Sequence, residues 1–354
     1  MRIIDSYVAR HVAYATLGVI AVLVGLDAIF TLVDELDNIK GNYKFLDALY
    51  YMLLRSPRRV YEYLPIACLI GCLVGMGTLA ANSELTVMRA AGLSIRRIAV
   101  SVLKPIMLIA FVGVAMGEYI IPPMENIAQS HRAVALGEVK SQSNKGRGYW
   151  HREGNEFMRF KAIEPNGILH GISIFTFDEN QQLTNSLYAK RAIFQRNYWH
   201  MEDVTETAYT ELKNVVEHAS SKRWDSDLKP ENLSFVMVTP MDMSMSDLYN
   251  YSQYIEEQGL NADHYMLSFW RKILQPLSTF ALVILGISFI FGPLRSVTPG
   301  YRIFSGIIVG MLYRYLEELL APASIVFGFQ PIWATVFPII LCLVAGTLLM
   351  RRAA

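Results

Sequence analysis

Six apolar runs, each near twenty residues long, constrain this 354-residue chain more than any other feature. They extend roughly over 12–33, 64–81, 98–121, 273–294, 303–327 and 332–350. A helix needs about 20 apolar residues to cross ~30 Å of hydrocarbon. Inside lipid every backbone polar group must be satisfied within the segment, so such runs have no alternative to helix. The runs therefore predict six membrane spans, three before and three after a long polar insert. Composition agrees, with 53% hydrophobic and only 18% charged residues, where soluble chains average about 25% charged. A net charge of +1 without a polybasic stripe gives no footprint for nucleic acid.

Lysine and arginine set the orientation, because short cytoplasmic loops are enriched in both. One set of flanks carries Arg2, Arg10, Arg89, Arg96, Arg97, Arg295, Arg302, Arg351 and Arg352, while the short loop between the last two runs carries none. Both termini are thus expected in the cytoplasm, with the segment SELTVMRAAGLS at 83–94. The start, MRIIDSYVARH, precedes an apolar run too long for a signal peptide and is followed by no A-x-A site, so it reads as a retained anchor. The expected layout is 1–121 for three spans with a cytoplasmic helix at 83–92, 122–264 for an exported domain, and 265–354 for three further spans.

The insert alternates apolar and polar residues with period two, as in Met158, Phe160 and Ala162 around Arg159 and Lys161, Ile172 and Ile174 around Ser173, and Leu233, Phe235 and Met237. That period marks half-buried strands. Turn residues separate them at Glu153-Gly154-Asn155, Asn166-Gly167 and Asp178-Glu179-Asn180. The insert is expected to be an antiparallel β domain. A helix over Asp247–Gln258, with Ser246 as N-cap and Gly259 past its end, leads back to the membrane.

Motifs for chemistry are missing. The chain has no P-loop, zinc-protease or nucleophile-elbow motif, and Cys68, Cys72 and Cys342 all lie in apolar runs. No catalytic residue, metal site or cofactor is expected on it, and the exported domain has no disulfide framework. Asp225-Ser226-Asp227 resembles a sugar-nucleotide motif but falls on the wrong side for such donors. Charges within the spans carry more information, because each is costly there without a partner. Asp27 lies in the first run, and Arg314, Glu317 and Glu318 lie in the fifth. The latter are spaced for an ion pair within one helix, with a cavity or subunit interface as the alternative. G-x-x-x-G at Gly71–Gly75, Gly113–Gly117 and Gly306–Gly310 marks close helix approach.

In SELTVMRAAGLS, Ser83 can cap a short helix, Glu84 suits its first turn and Gly92 can end it. Glu84, Val87, Met88 and Ala91 share one face, an apolar knob with a carboxylate at its tip. Such a helix either rests at the membrane surface or docks into a groove on a separate nucleotide-binding subunit. SELTVMRAAGLS resembles the coupling-helix motif of the lipopolysaccharide-export permeases, the YjgP/YjgQ family of ABC-transporter membrane subunits. SFIFGPLRSV at 288–297 and the three-insert-three layout extend the resemblance over nearly the whole chain, and that motif is closer to the G-type than to the F-type members.

The resemblance implies a periplasmic β-jellyroll in a protein of the Gram-negative inner membrane. It also implies an LptF-like paralogue as partner and two copies of an LptB-like cytoplasmic ATPase that bind the ATP and Mg. An LptC-like single-span protein and an LptA-like periplasmic bridge, which receives lipopolysaccharide, complete the set. By the same resemblance Glu84 meets the ATPase with Val87, Met88 and Ala91, while Arg58 in RSPRRV, Arg132 in SHRAVA and Lys40 face lipid phosphates. Asp27, Gly306, Gly310, Arg314, Glu317 and Glu318 fall on the seam with the partner subunit. One departure is FTLVDELDNIK, where G-type members carry several lysines; Asp34, Glu35 and Asp37 there would repel phosphate. A lipoprotein-releasing or other lipid-exporting ABC permease is the alternative, although four spans and an insert after the first would be usual for it. A membrane protease or glycosyltransferase lacks its catalytic constellation here.

Overall fold

The computed structural model describes residues 2–39, 43–135, 149–163, 168–178, 181–195, 197–209, 213–226, 228, 239–257, 261–291 and 297–353. Lys40, Asn166-Gly167, the segment with Leu233, Phe235 and Met237, Gly259, and 292–296 of the SFIFGPLRSV motif lie outside the described residues.

Helices α1 (Arg2–Leu36), α2 (Phe45–Ala81), α3 (Glu84–Ala90) and α4 (Ile95–Ala115) open the chain. A π turn at Met116–Ile120 then passes directly into α5 (Ile121–Ala135). The third apolar run thus belongs to a helix that continues past Pro122 and Pro123, and the strands begin only at Tyr149. Pro122 and Pro123 lack the N–H groups that would bond back to the preceding turn, and the π turn at Met116–Ile120 is where the bonding pattern shifts to accommodate them. After the sheet come a 3₁₀ turn at Pro240–Asp242, α6 (Met245–Glu257), α7 (Asp263–Phe291), α8 (Pro299–Phe327) and α9 (Pro331–Ala353). Among the described residues, five helices are long and apolar enough to cross a membrane: α1, α2, α4 with its continuation, α7 and α9. The sixth expected span, α8, has 29 residues but is interrupted by Arg314, Glu317 and Glu318.

Helix α2 is the hub of the bundle, because the small residues of its neighbours face it. A Cβ on Gly71 or Gly75 would run into the backbone of Thr16 or Val12 in α1. Gly113 and Gly117 lie against Leu64 and Tyr61, and Gly306 and Gly310 against Leu73 and Ile66. All three G-x-x-x-G motifs therefore serve packing within this chain. Gly306 and Gly310, expected at a subunit seam, are spent on α2. The core around α2 includes Leu69, Leu73, Met76, Val102, Leu282 and Ile287, all fully or almost fully buried. Apolar side chains instead point outward along α1 and α8, among them Phe30 and Leu312, at 68% and 63% exposure.

Among the described residues there are six strands, β1 (Tyr149–Glu153), β2 (Glu156–Ile163), β3 (Leu169–Phe177), β4 (Leu183–Gln195), β5 (Tyr198–Tyr209) and β6 (Asn214–Trp224). They form one antiparallel sheet in sequence order. Gly154, at φ +57°, makes the tight turn between β1 and β2 that its lack of a Cβ allows. Cross-strand pairs Phe160–Ile172, Met158–Ile174 and Ile172–Ala189 put one apolar face together, as the period-two pattern requires. Trp199, Met201 and Trp224 extend that core. The Greek-key crossover of a jellyroll does not occur among the described strands, which follow each other as a meander. The chain after β6 turns back across the apolar face: Leu228 is buried, its carbonyl accepts from Trp199 Nε1 at 2.8 Å, and Ser226 Oγ donates to Glu153 at 2.6 Å.

Candidate functional site

Polar chemistry gathers at the end of the bundle nearest the sheet, and α2 supplies its centre. Pro57 sits inside α2, and the arginines around it reach in different directions. Arg59 pairs with Asp27 at 3.0 Å and with Glu62 at 3.1 Å. Arg58 meets Glu62 at 3.0 Å, Asp242 at 2.7 Å and Glu125 at 3.6 Å. Arg55 takes Glu125 at 3.2 Å and lies over the Tyr51 ring. Arg132 shares that ring and pairs with Glu35 at 3.1 Å, and Glu35 also accepts from Tyr43. Asp27, Arg58 and Arg132, far apart in sequence, thus belong to one chain of charges.

Beside this network lies a cavity of about 190 Å³ between α2, α7 and α8, with Met241 at its rim. Its wall is apolar at Tyr61, Pro65 and Ile66 and charged at Arg58, Arg271, Lys272 and Arg314, with Glu62, Glu317 and Glu318 among the cations. Arg314 pairs with Glu318 at 2.9 Å on the same helix, while Glu317 lies 3.9 Å from Arg271 and gives its carbonyl to the same guanidinium at 3.0 Å. An amphipathic wall of this kind suits a ligand with acyl chains and an anionic head.

The segment that returns from the sheet is held above the cavity by three helices. Arg58 of α2 binds Asp242, Lys272 of α7 donates to the Met243 carbonyl, and Glu118 of the π turn accepts from Met245 N at 2.7 Å and from Ser246 Oγ. Ser246 therefore does not cap α6; Ser244 does, its Oγ accepting from Asp247 N at 3.0 Å, while Glu118 takes the Met245 N–H. Burial pushes the Asp242 carboxyl above its usual range, against the pull of Arg58. π turns recur at functional sites because the extra residue re-aims neighbouring side chains, here Glu118.

Helix α3 forms where a short helix was expected, with different anchoring. Ser83 has a left-handed backbone, φ 62°, and its side chain makes no cap. Leu85 is buried and Met88, half-buried, packs partly against the core. Val87, at 66% exposure, and Ala91 remain outside, and Glu84 is half-buried with Asn82 within 3.5 Å. Gly92, at φ +87°, turns the chain into α4.

Sequence reasoning missed Glu62, Glu118, Glu125, Asp242, Arg271 and Lys272. Two signals were available: Glu118 is a charge within the third apolar run, and Lys272 directly precedes the fourth. No group of residues suited to a metal ion occurs among the described residues.

Residues 6–352 match the family described as lipopolysaccharide export system permease LptF/LptG. The lipopolysaccharide export system permease protein LptG of Escherichia coli (strain K12) is 34% identical over 358 residues, covering 99% of both chains. That of Haemophilus influenzae (strain ATCC 51907 / DSM 11121 / KW20 / Rd) is 32% identical over 354 residues, covering 99% of this chain and 98% of its own. So long a match takes in the bundle, the sheet and the charged cavity alike, and the chain belongs to the LptF/LptG family of lipopolysaccharide export permeases.

Proposed function

We propose that this chain is the G-type membrane subunit of a transporter that lifts lipopolysaccharide from the outer leaflet of the inner membrane and passes it to a periplasmic bridge. The sheet stands in the periplasm and both termini in the cytoplasm. An F-type paralogue lies against the outward faces of α1 and α8, near Phe30, Leu312 and the Arg314–Glu318 pair. Two copies of a cytoplasmic ATPase hold the ATP and Mg and meet α3 through Glu84, Val87 and Ala91. A single-span protein completes the complex.

The observation that carries this reading is the cavity wall, apolar along α2 and cationic at Arg58, Arg271, Lys272 and Arg314. Burying acyl chains is worth ~0.8 kcal/mol per CH₂, so a lipid with several chains has to stay covered throughout its passage. Arg58 and Arg132 are the phosphate contacts, since guanidinium forms charge-assisted, bidentate bonds to phosphate. Charge reversal of both in the assembled complex in nanodiscs should abolish lipopolysaccharide-stimulated ATP hydrolysis, each charge-assisted bond being worth ~1.5–3 kcal/mol. Glu84→Lys should separate hydrolysis from lipid release while the complex still forms. Full stimulation in the double reversal would reduce both arginines to structural ion pairs.

A further inference from the structure

We propose that Asp242 determines which lipid headgroups the cavity accepts, because its carboxylate already occupies the place at Arg58 that an anionic headgroup must take. The inference rests on the reading of Arg58 as a headgroup contact. Arg58 Nη1 lies 2.7 Å from Asp242 Oδ1 and 2.8 Å from Oδ2. The two residues are 184 positions apart, and Asp242 arrives on the segment that returns from the sheet. It is 2% exposed, yet its remaining hold is thin. Thr239 Oγ1 donates to Oδ2, and Oδ1 accepts no well-directed hydrogen bond.

The other carboxylates near Arg58 are fixed more firmly. Glu62 sits one turn along the same helix and also binds Arg59. Glu125 is held by Arg55 and by Gln129 at 2.7 Å. Asp242 is therefore the partner that can leave. Its neighbour Met241 is half exposed and lines the cavity, so displacement of Asp242 opens the rim next to Arg58. Once displaced, the carboxylate stays near the Lys272 ammonium, whose chain already reaches the adjoining Met243 carbonyl.

Exchange at Arg58 then sorts headgroups by charge. A phosphodiester lipid offers one negative charge for the one that leaves and gains nothing from the exchange. A phosphomonoester carries about −1.5 to −2 at neutral pH and three strong acceptor oxygens, so it displaces the carboxylate. Ordinary phosphodiester phospholipids, the great excess in any bilayer, are refused at this position.

The test uses the assembled complex in phosphatidylcholine nanodiscs, with ATP hydrolysis followed as lipopolysaccharide is added. Phosphatidylglycerol is the phosphodiester competitor, and inorganic phosphate the control for a bare anion. With wild-type protein phosphatidylglycerol should not alter the response, being refused by charge, and inorganic phosphate should not at the same concentration, having no acyl chains to hold it in the cavity. In Asp242→Asn the half-stimulating lipopolysaccharide concentration should fall about tenfold, the equivalent of one charge-assisted bond, and phosphatidylglycerol should now compete. Thr239→Val, which only loosens Asp242, should move both readouts the same way by less, and it decides the matter if the asparagine variant does not assemble. Unchanged half-stimulation and indifference to phosphatidylglycerol in the variants, with stimulation abolished in Arg58→Glu, would overturn the inference and leave the Arg58 contact standing. Persistent stimulation in Arg58→Glu would remove that contact and the inference with it. Competition by inorganic phosphate at the same concentration as phosphatidylglycerol would show a simple anion site and overturn the headgroup selection.

Discussion

Glu118→Ala tests how the sheet is fastened to the bundle. The Glu118 carboxylate accepts the backbone N–H of Met245 at 2.7 Å and the Ser246 hydroxyl, so a side chain on the π turn holds the start of α6 beside the Ser244 hydroxyl that caps it. Alanine leaves both donors without that acceptor. A hydrogen bond to a charged group contributes ~1.5–3 kcal/mol, and a carboxylate at a helix N-terminus adds ~0.3–1 kcal/mol. Glu118 is half-buried, which keeps the sum toward the lower ends, about 2–4 kcal/mol. At about 1.4 kcal/mol per decade, local opening of α6 becomes roughly 30- to 700-fold more frequent. Hydrogen exchange at the α6 amides Leu248 to Ile255, in the nanodisc-embedded complex, reads that change directly. Amides of Ile172 and Ala189, in the centre of the sheet, serve as the internal reference. Glu118→Gln keeps an acceptor without the charge and should accelerate exchange less than alanine does. Exchange in the alanine variant within about threefold of wild type would refute the Glu118 carboxylate as the fastening.

Two further substitutions probe the fold. Gly71→Ala places a Cβ inside the backbone of Thr16 and should cost about 1–3 kcal/mol of overpacking between α1 and α2, whereas Gly18→Ala, with nothing within 4 Å, should be neutral or stabilising; a Tm difference between the two variants in detergent checks this. His151 is buried against Tyr254 of α6, and burial holds its pKa below the usual 6.5. The unfolded chain therefore takes up the proton first, so this contribution to stability is present above pH 6.5 and is lost as pH falls below it. Urea midpoints measured across that window should drop on the acid side, and less so in His151→Phe.

The sequence told much about the elements and little about the site, for identifiable physical reasons. Apolar runs and period-two strands are local signals, and α1, α2, α7 and β2 to β3 stand where those signals lie. The third helix ran on past Ile121 because the π turn at Met116–Ile120 shifts the bonding pattern just before Pro122 and Pro123, which an apolar-run count does not reveal. Asp27 was legible as a charge within an apolar run and Arg58 through the family resemblance, but their partners were not. Arg58 meets Asp242 across 184 residues and Arg132 meets Glu35 across 97, and no periodicity encodes such pairings. Leu85, the buried residue of α3, sets its rotation and brings Met88 partly against the core, which the face shared by Glu84, Val87, Met88 and Ala91 did not reveal.

The strand order of the sheet bears on how the protein is built. Every described strand pairs with its immediate neighbour in sequence, so each ladder closes over a short loop and costs little chain entropy. Topology of this kind lets the hairpins form one after another as the chain is made. The contacts that join sheet to bundle have the opposite character: Glu118 reaches Ser246 across 128 residues, and Arg58 reaches Asp242 across 184. They cannot form until the return segment has been made. The order of synthesis therefore puts the sheet's own ladders before its fastening: until the return segment is made, Arg58 and Glu118 lack their partners from it.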